Sequence, residues 1–84
     1  FSMDVVLSKS AQREYERLPK NIQVKLKKKL KTLEANPYQA KKLTGDFKGL
    51  FSLRAWPYRI LYEINGSEQR VEVLKIAHRQ GVYK

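Results

Sequence analysis

The chain has 84 residues, of which 18 are Lys or Arg and 8 are Asp or Glu, for a formal net charge of +10. That length holds one domain with one modest core, and that charge points to an anionic partner: nucleic acid first, then an acidic protein, then a membrane surface. The lack of cysteine excludes disulfides and thiolate metal sites, no apolar run approaches the roughly 20 residues of a membrane span, and no signal peptide is visible.

A cytoplasmic setting with no membrane role fits these exclusions. Phe1-Ser2 ahead of Met3 reads as a tag remnant, so a single domain over 3–84 is expected. Asp4–Leu7 is a short apolar run and predicts a first strand. Ser8 and Ser10 are both possible N-caps for a helix whose apolar face is Ala11, Tyr15 and Leu18, at i, i+4, i+7. Pro19 stops it, because the residue before a proline avoids the α region. Asn21 is placed to cap a second helix with the stripe Ile22, Leu26, Leu30 and Leu33, and Asn36-Pro37 ends it. Two amphipathic helices joined by so short a link form an αα-hairpin. The outer face of the second carries Lys25, Lys27, Lys28, Lys29 and Lys31. Such a run is either a solvated face that keeps the protein soluble or a surface that tracks phosphates, and both can hold together. Tyr38–Gly49 reads as a loop with a basic patch at Lys41-Lys42, and Lys48 lies just before the next strand.

Leu50–Ala55 and Tyr58–Ile64 are aliphatic and aromatic runs broken by Trp56-Pro57. They predict a β-hairpin, with proline in the turn because it has no N–H for a ladder. Pairing Arg54 with Arg59 sets Leu53 opposite Ile60 and Phe51 opposite Tyr62 on one face. The other face receives Arg54, Arg59, Ser52 and Leu61. Two arginines opposite each other cost roughly 0.2–1 kcal/mol. Either both lie flat over apolar surface with their heads in water, or an anion between them reverses the sign.

Asn65-Gly66 is a turn signal, since both residues tolerate positive φ. Arg70–Ile76 closes the sheet, and its two apolar faces place it inside the sheet or under cover on both sides. The order β-α-α-β-β-β predicts an α+β domain, a two-helix hairpin on one face of a small antiparallel sheet. The last strand is expected to put Glu72, Leu74 and Ile76 on the Arg59 face and to deliver His78 and Arg79 to that end. A basic face of Arg54, Arg59, His78, Arg79 and Tyr83 results. Arginines bind phosphate bidentately and stabilise a pentacoordinate transition state. Histidine moves protons near neutral pH. A tyrosine hydroxyl donates a proton, or its ring stacks on a base. RNA supplies its own nucleophile, the 2′-OH, so neither metal nor cofactor is expected. The structural alternatives are a surface histidine at a strand end and a C-terminal tyrosine anchored on the sheet.

The segments Asn36-Pro37, Lys41-Lys42-Leu43-Thr44-Gly45, Gly49-Leu50-Phe51-Ser52-Leu53-Arg54, Tyr58-Arg59-Ile60-Leu61-Tyr62-Glu63-Ile64 and Ile76-Ala77-His78-Arg79-Gln80-Gly81-Val82-Tyr83 carry a resemblance. In that order they resemble the RelE/ParE superfamily of bacterial and archaeal toxins, specifically the RelE-like mRNA interferases. The resemblance implies a toxin that enters the ribosomal A site and cuts mRNA by 2′-OH attack on the adjacent phosphate. It matches Arg59 and Arg79 to the catalytic arginines, Tyr83 to the terminal tyrosine used in stacking and proton transfer, and Arg54 to a supporting basic residue. His78 falls at a position that is basic in many members and is the acid/base candidate. Lys48, Lys41, Lys42, Lys27 and Lys28 are expected to contact RNA. Leu50 and Ser52 stand where some relatives carry two strand lysines. The partners implied are ribosome, mRNA and a cognate antitoxin whose acidic, amphipathic segment folds on the toxin. Two alternatives belong to other classes: a ParE-like inhibitor of DNA gyrase, and a basic module that binds RNA or antitoxin without cleaving.

Overall fold

The computed structural model describes residues 3–80, the Asp46 side chain excepted. Its elements are β1 (Asp4–Leu7), α1 (Lys9–Glu16), α2 (Lys20–Ala35), β2 (Lys41–Lys42), β3 (Phe51–Ala55), β4 (Tyr58–Asn65) and β5 (Arg70–His78), with a 3-10 turn at Gly45–Phe47. The five strands form one sheet in the order β1-β5-β4-β3-β2. The helices lie on one face, as the α+β reading requires. The sheet is mixed rather than wholly antiparallel, because β1 pairs parallel with β5. Residues 8–69 lie between those two strands, and parallel neighbours need a long connection of that kind. The segment expected as a loop after α2 also contributes the two-residue edge strand β2, antiparallel to β3.

Of the two serines, Ser8 caps α1: the Ala11 N–H donates to its Oγ at 3.0 Å. The expected cap at Asn21 is not formed. Pro19 takes the N-cap position, and Asn21 lies within the first turn of α2. The hairpin is tied by Gln23, whose Nε2 donates to the carbonyls of Tyr15 at 3.0 Å and Leu18 at 3.1 Å. The first is in the last turn of α1, where the Leu18 N–H also donates to it at 3.1 Å, and the second lies in the link just past the helix. Ala11, Leu26, Leu30 and Leu33 then pack on Leu53, Ile60, Tyr62, Val71, Val73 and Ile76 to form the core. Each fully buried aliphatic side chain there contributes on the order of 1.5–3 kcal/mol.

The β3–β4 register is the expected one: Phe51↔Tyr62, Leu53↔Ile60 and Arg54↔Arg59. The chain turns through a cis Trp56-Pro57 bond. At the other end of β4, Asn65 Oδ1 accepts from Ser67 Oγ at 2.9 Å and from the Glu68 N–H at 3.1 Å. That loop runs from Gly66 to Gln69, and the positive φ falls on Gln69 at 51° rather than on the Asn-Gly pair. The asparagine side chain does the turning by hydrogen bonding, so a two-residue turn is not needed.

β5 lies inside the sheet, between β1 and β4. Its register shifts at Leu61/Tyr62, where the partners step from Lys75 to Val73 and leave Leu74 as the extra residue. The bulge changes which side chains share a face. Before it, Ile60 pairs with Ile76 and both are core; after it, Tyr62 pairs with Val73. Glu72 therefore lies on the Arg59 face as expected, whereas Ile76 does not. Beyond Leu7, α1 takes over from β1 along this edge of β5. The Ser8 N–H donates to Val73 O at 2.9 Å, Ser8 Oγ to Leu74 O at 3.3 Å, and the Ile76 N–H to Glu14 Oε1 at 2.9 Å.

Candidate phosphate-binding site

The face of the sheet away from the helices has two ends of opposite character. Cross-strand partners share a face. Around the β3–β4 turn this face carries Arg54, Arg59 and Ala77, with Lys41 (opposite Ser52) and Lys75 (opposite Leu61) one step inward. Around the Asn65 loop it carries Glu63 opposite Glu72, and Asp4 opposite Arg70. Its middle is not bare, since Ser52 and Leu61 are only 3% and 2% exposed.

Arg54 and Arg59 are direct cross-strand partners, which puts their Cβ atoms about 4.5–5.5 Å apart. Arg79 joins them because its N–H donates to Pro57 O at 2.8 Å, extending the β4–β5 pairing past His78. Both Arg54 and Arg79 lie against the Trp56 ring. The Arg54 guanidinium carbon is 5.1 Å from the ring centroid and that of Arg79 is 4.7 Å. The two guanidinium groups are thus at most about 10 Å apart. At that limit two like charges repel by roughly 0.4–2 kcal/mol, depending on the effective dielectric. Each contact with the ring returns roughly 0.5–1 kcal/mol. The two effects nearly cancel, and an anion between the groups tips the balance. None of the three arginines has an ion-pair partner among the described residues, where the ion pair found is Arg70–Glu72 at 3.5 Å.

His78 reaches the same end of the sheet but on the other face. It pairs with Tyr58, whose neighbour Ile60 is core, so strand alternation aims it to the helix side. The expectation that it shares the Arg59 face fails on this register. Its ring stands edge-on to Tyr58, with centroids 5.6 Å apart. Its Nδ1 accepts from the Gln80 N–H at 3.3 Å, which leaves Nε2 to carry the proton of the neutral ring. Tyr83 lies outside the described residues. Lys41 is exposed on the open face, whereas Lys42, opposite Phe51, belongs to the helix side. Lys48 is exposed in the turn after Gly45–Phe47. Lys27 and Lys28 are exposed on α2, away from the arginines' face.

Two contributors, Trp56 and Lys75, are not among the site residues expected from sequence, and a third, Lys25, is named there only as part of the lysine run. Trp56 reads as a turn residue, and nothing in its neighbours signals the two guanidinium groups. Lys75 is assigned to the open face only once the bulge is known. Lys25 donates from α2 to the Trp56 carbonyl and ties the turn to the helix layer. Among the described residues no cluster of acidic, His or Cys side chains has the make-up of a metal site. No helix among them is long and apolar enough to cross a membrane.

Fold and site together define a small basic α+β domain with converging arginines at one end of its sheet. Residues 5–83 match the family described as ParE toxin of type II toxin-antitoxin system, parDE. Toxin RelE of Mycobacterium tuberculosis is 34% identical over 82 residues, which cover 95% of this chain and 84% of that protein. Among solved structures, the toxin–antitoxin complex RelBE2 of Mycobacterium tuberculosis superposes with a TM-score of 0.88 at 28% identity, over 94% of this chain and 100% of that one. The YoeB/ParE toxin from Agrobacterium tumefaciens gives 0.79 at 26% identity, over 90% and 98%. The chain belongs to the RelE/ParE superfamily of toxins from type II toxin–antitoxin systems.

Proposed function

We propose that this toxin is a RelE-like endoribonuclease that cuts mRNA in the ribosomal A site. The observation that carries the reading is the convergence of Arg54, Arg59 and Arg79 at one end of the sheet, with no carboxylate partner among the described residues. In the reaction, the 2′-oxygen forms a bond to phosphorus and gives up its proton. The bond to the 5′-oxygen breaks, and that oxygen takes up a proton. A 2′,3′-cyclic phosphate is left. Negative charge builds on the non-bridging oxygens as the pentacoordinate state forms. Guanidinium groups already aimed at that point stabilise it more than they stabilise the substrate.

Arg59 sits centrally, between Arg54 across the hairpin and Ala77 on the next strand, and is assigned the scissile phosphate. Arg79 and Arg54 flank it. Tyr83 is assigned stacking on a base and proton transfer, because His78 is aimed to the helix side, away from Arg59. Lys41 brings a cation to the open face directly across from Ser52, where no strand lysine is present. The antitoxin is assigned an acidic amphipathic segment, by charge complementarity with a chain of net charge +10.

The test is induced expression in bacteria with primer extension on a reporter mRNA, comparing this sequence with Arg59→Ala. Codon-phased cuts are expected and should fall by about 100- to 1000-fold in the variant, the usual loss on removing one oxyanion-stabilising group. Full cleavage and full growth inhibition by Arg59→Ala would overturn the assignment. The match to the family described as ParE favours a second reading, inhibition of DNA gyrase. That reading predicts a DNA-damage response with intact mRNA.

A further inference from the structure

We infer that Trp56 is a positioning residue: its ring holds Arg54 and Arg79 in place as a phosphate-binding pair beside Arg59. The role of that pair in cleavage rests on the ribonuclease reading above; the positioning itself rests on geometry.

An indole 47% exposed on a turn adds little to the core, and Trp56 is not among the side chains packed there. Its ring surface is used instead by two cations, at 5.1 and 4.7 Å. The backbone beneath the ring is held from three directions. Lys25 of α2 donates to the Trp56 carbonyl. The Arg79 N–H donates to Pro57 O at 2.8 Å. Ala55 and Tyr58 pair to close the hairpin below it. The backbone that carries the ring is therefore fixed, and the indole has two side-chain torsions to order where each arginine has four. Left alone, two such side chains with a third arginine beside them spread apart into water. The ring's quadrupole gathers them before any anion arrives, and ordering done in advance is not charged against binding. The same ring is also able to stack on a nucleobase, so the test must separate the two uses.

Inorganic tripolyphosphate provides that separation, since it has charge but no base. Its affinity for the wild-type chain, Trp56→Phe and Trp56→Ala is measured by titration calorimetry, with thermal melts of the free proteins as the folding control. Trp56→Ala is expected to bind about tenfold more weakly, the loss of two cation–ring contacts. Trp56→Phe keeps a ring and should stay within about threefold of wild type. Equal affinity in Trp56→Ala and wild type overturns the proposal. So does weakening toward a short single-stranded RNA but not toward tripolyphosphate, which would make the ring a base platform. Should Trp56→Ala fail to fold, the wild type still decides. Trp56 is the one tryptophan of the chain, and because the guanidinium groups stay on its ring in the complex, quenching of its emission by acrylamide should not rise when tripolyphosphate saturates. A rise in quenching at saturation, the sign of guanidinium groups drawn off the ring, overturns the proposal. Cleavage assays on the same proteins keep the two readings apart. Uncut mRNA with the wild type, together with weakened tripolyphosphate binding in Trp56→Ala, sinks the ribonuclease reading and leaves the phosphate pair standing. Cut mRNA with unweakened binding sinks the positioning role alone.

Discussion

Tyr62 offers a test of the core that needs no assumption about function. Its side chain is fully buried, its ring stacks on Phe51 with centroids 5.4 Å apart, and its hydroxyl donates to Pro37 O at 2.6 Å. Tyr62→Phe keeps the ring and deletes the donor, leaving a buried carbonyl unpaired. That costs about 1–3 kcal/mol, or roughly 4–8 °C in Tm per kcal/mol for a domain of this size. The loss should depend on pH. Burial pushes the Tyr62 hydroxyl from 10.0 up to about 12, and a backbone hydrogen bond at Ala40 pulls slightly the other way. A raised pKa contributes stability that is fully present below the unfolded value and fades as pH rises through the folded one. The wild type should therefore lose up to about 2–3 kcal/mol between pH 10 and 12, at 1.36 kcal/mol per unit, through this group alone. The phenylalanine variant has no such group. Urea unfolding followed by Trp56 emission, across that pH window, should show the gap between the two proteins closing. Lysines titrate in both and cancel in the difference. Equal stability at neutral pH, or a gap that stays constant to pH 12, would refute the burial argument.

Leu33→Ala empties a fully buried position beneath the sheet and should cost about 2–5 kcal/mol by chemical denaturation, with growth inhibition lost through falling abundance rather than through the site. Ser8→Ala removes the cap of α1 and the bond to Leu74 O; about 1–2 kcal/mol is expected in the same assay, with cleavage by the remaining folded protein unchanged. Lys75→Ala removes a cation from the arginines' face and should reduce the slope of log affinity for single-stranded RNA against log salt by about 0.7 if it meets one phosphate.

The parts of the fold legible in the sequence are those encoded over a few residues. Phe51, Leu53, Ile60 and Tyr62 alternate on both sides of a proline, so the hairpin register, with Arg54 facing Arg59, follows from them. Leu26, Leu30 and Leu33 recur at helical spacing and are buried as that spacing requires. The side-chain phase of β5 departs from the simple alternation its sequence suggests: the buried positions run Val71, Val73 and then Ile76, a step of three where a regular strand has two. That slip is the bulge at Leu74, and it moves Ile76 and His78 off the arginines' face. The parallel pairing of β1 with β5 has no local code, because it depends on where the helical hairpin returns the chain. The end of the sheet at which Arg54, Arg59 and Arg79 meet follows from strand order, whereas Trp56 is seen only through its distances to two guanidinium groups.

The edge strand β2 has a further consequence, for the company this protein keeps. A sheet edge is a template on which another chain can add a strand, and long apolar edges drive self-association. Here that edge is two residues long and both are lysine. A second copy docking edge to edge would bring its own Lys41 and Lys42 against this pair, in a molecule already carrying +10. The chain is thereby discouraged from stacking on itself, while a strand with acidic side chains meets no such barrier. At this edge of the sheet one pair of lysines thus opposes pairing with a second copy while leaving the edge open to a strand of opposite charge.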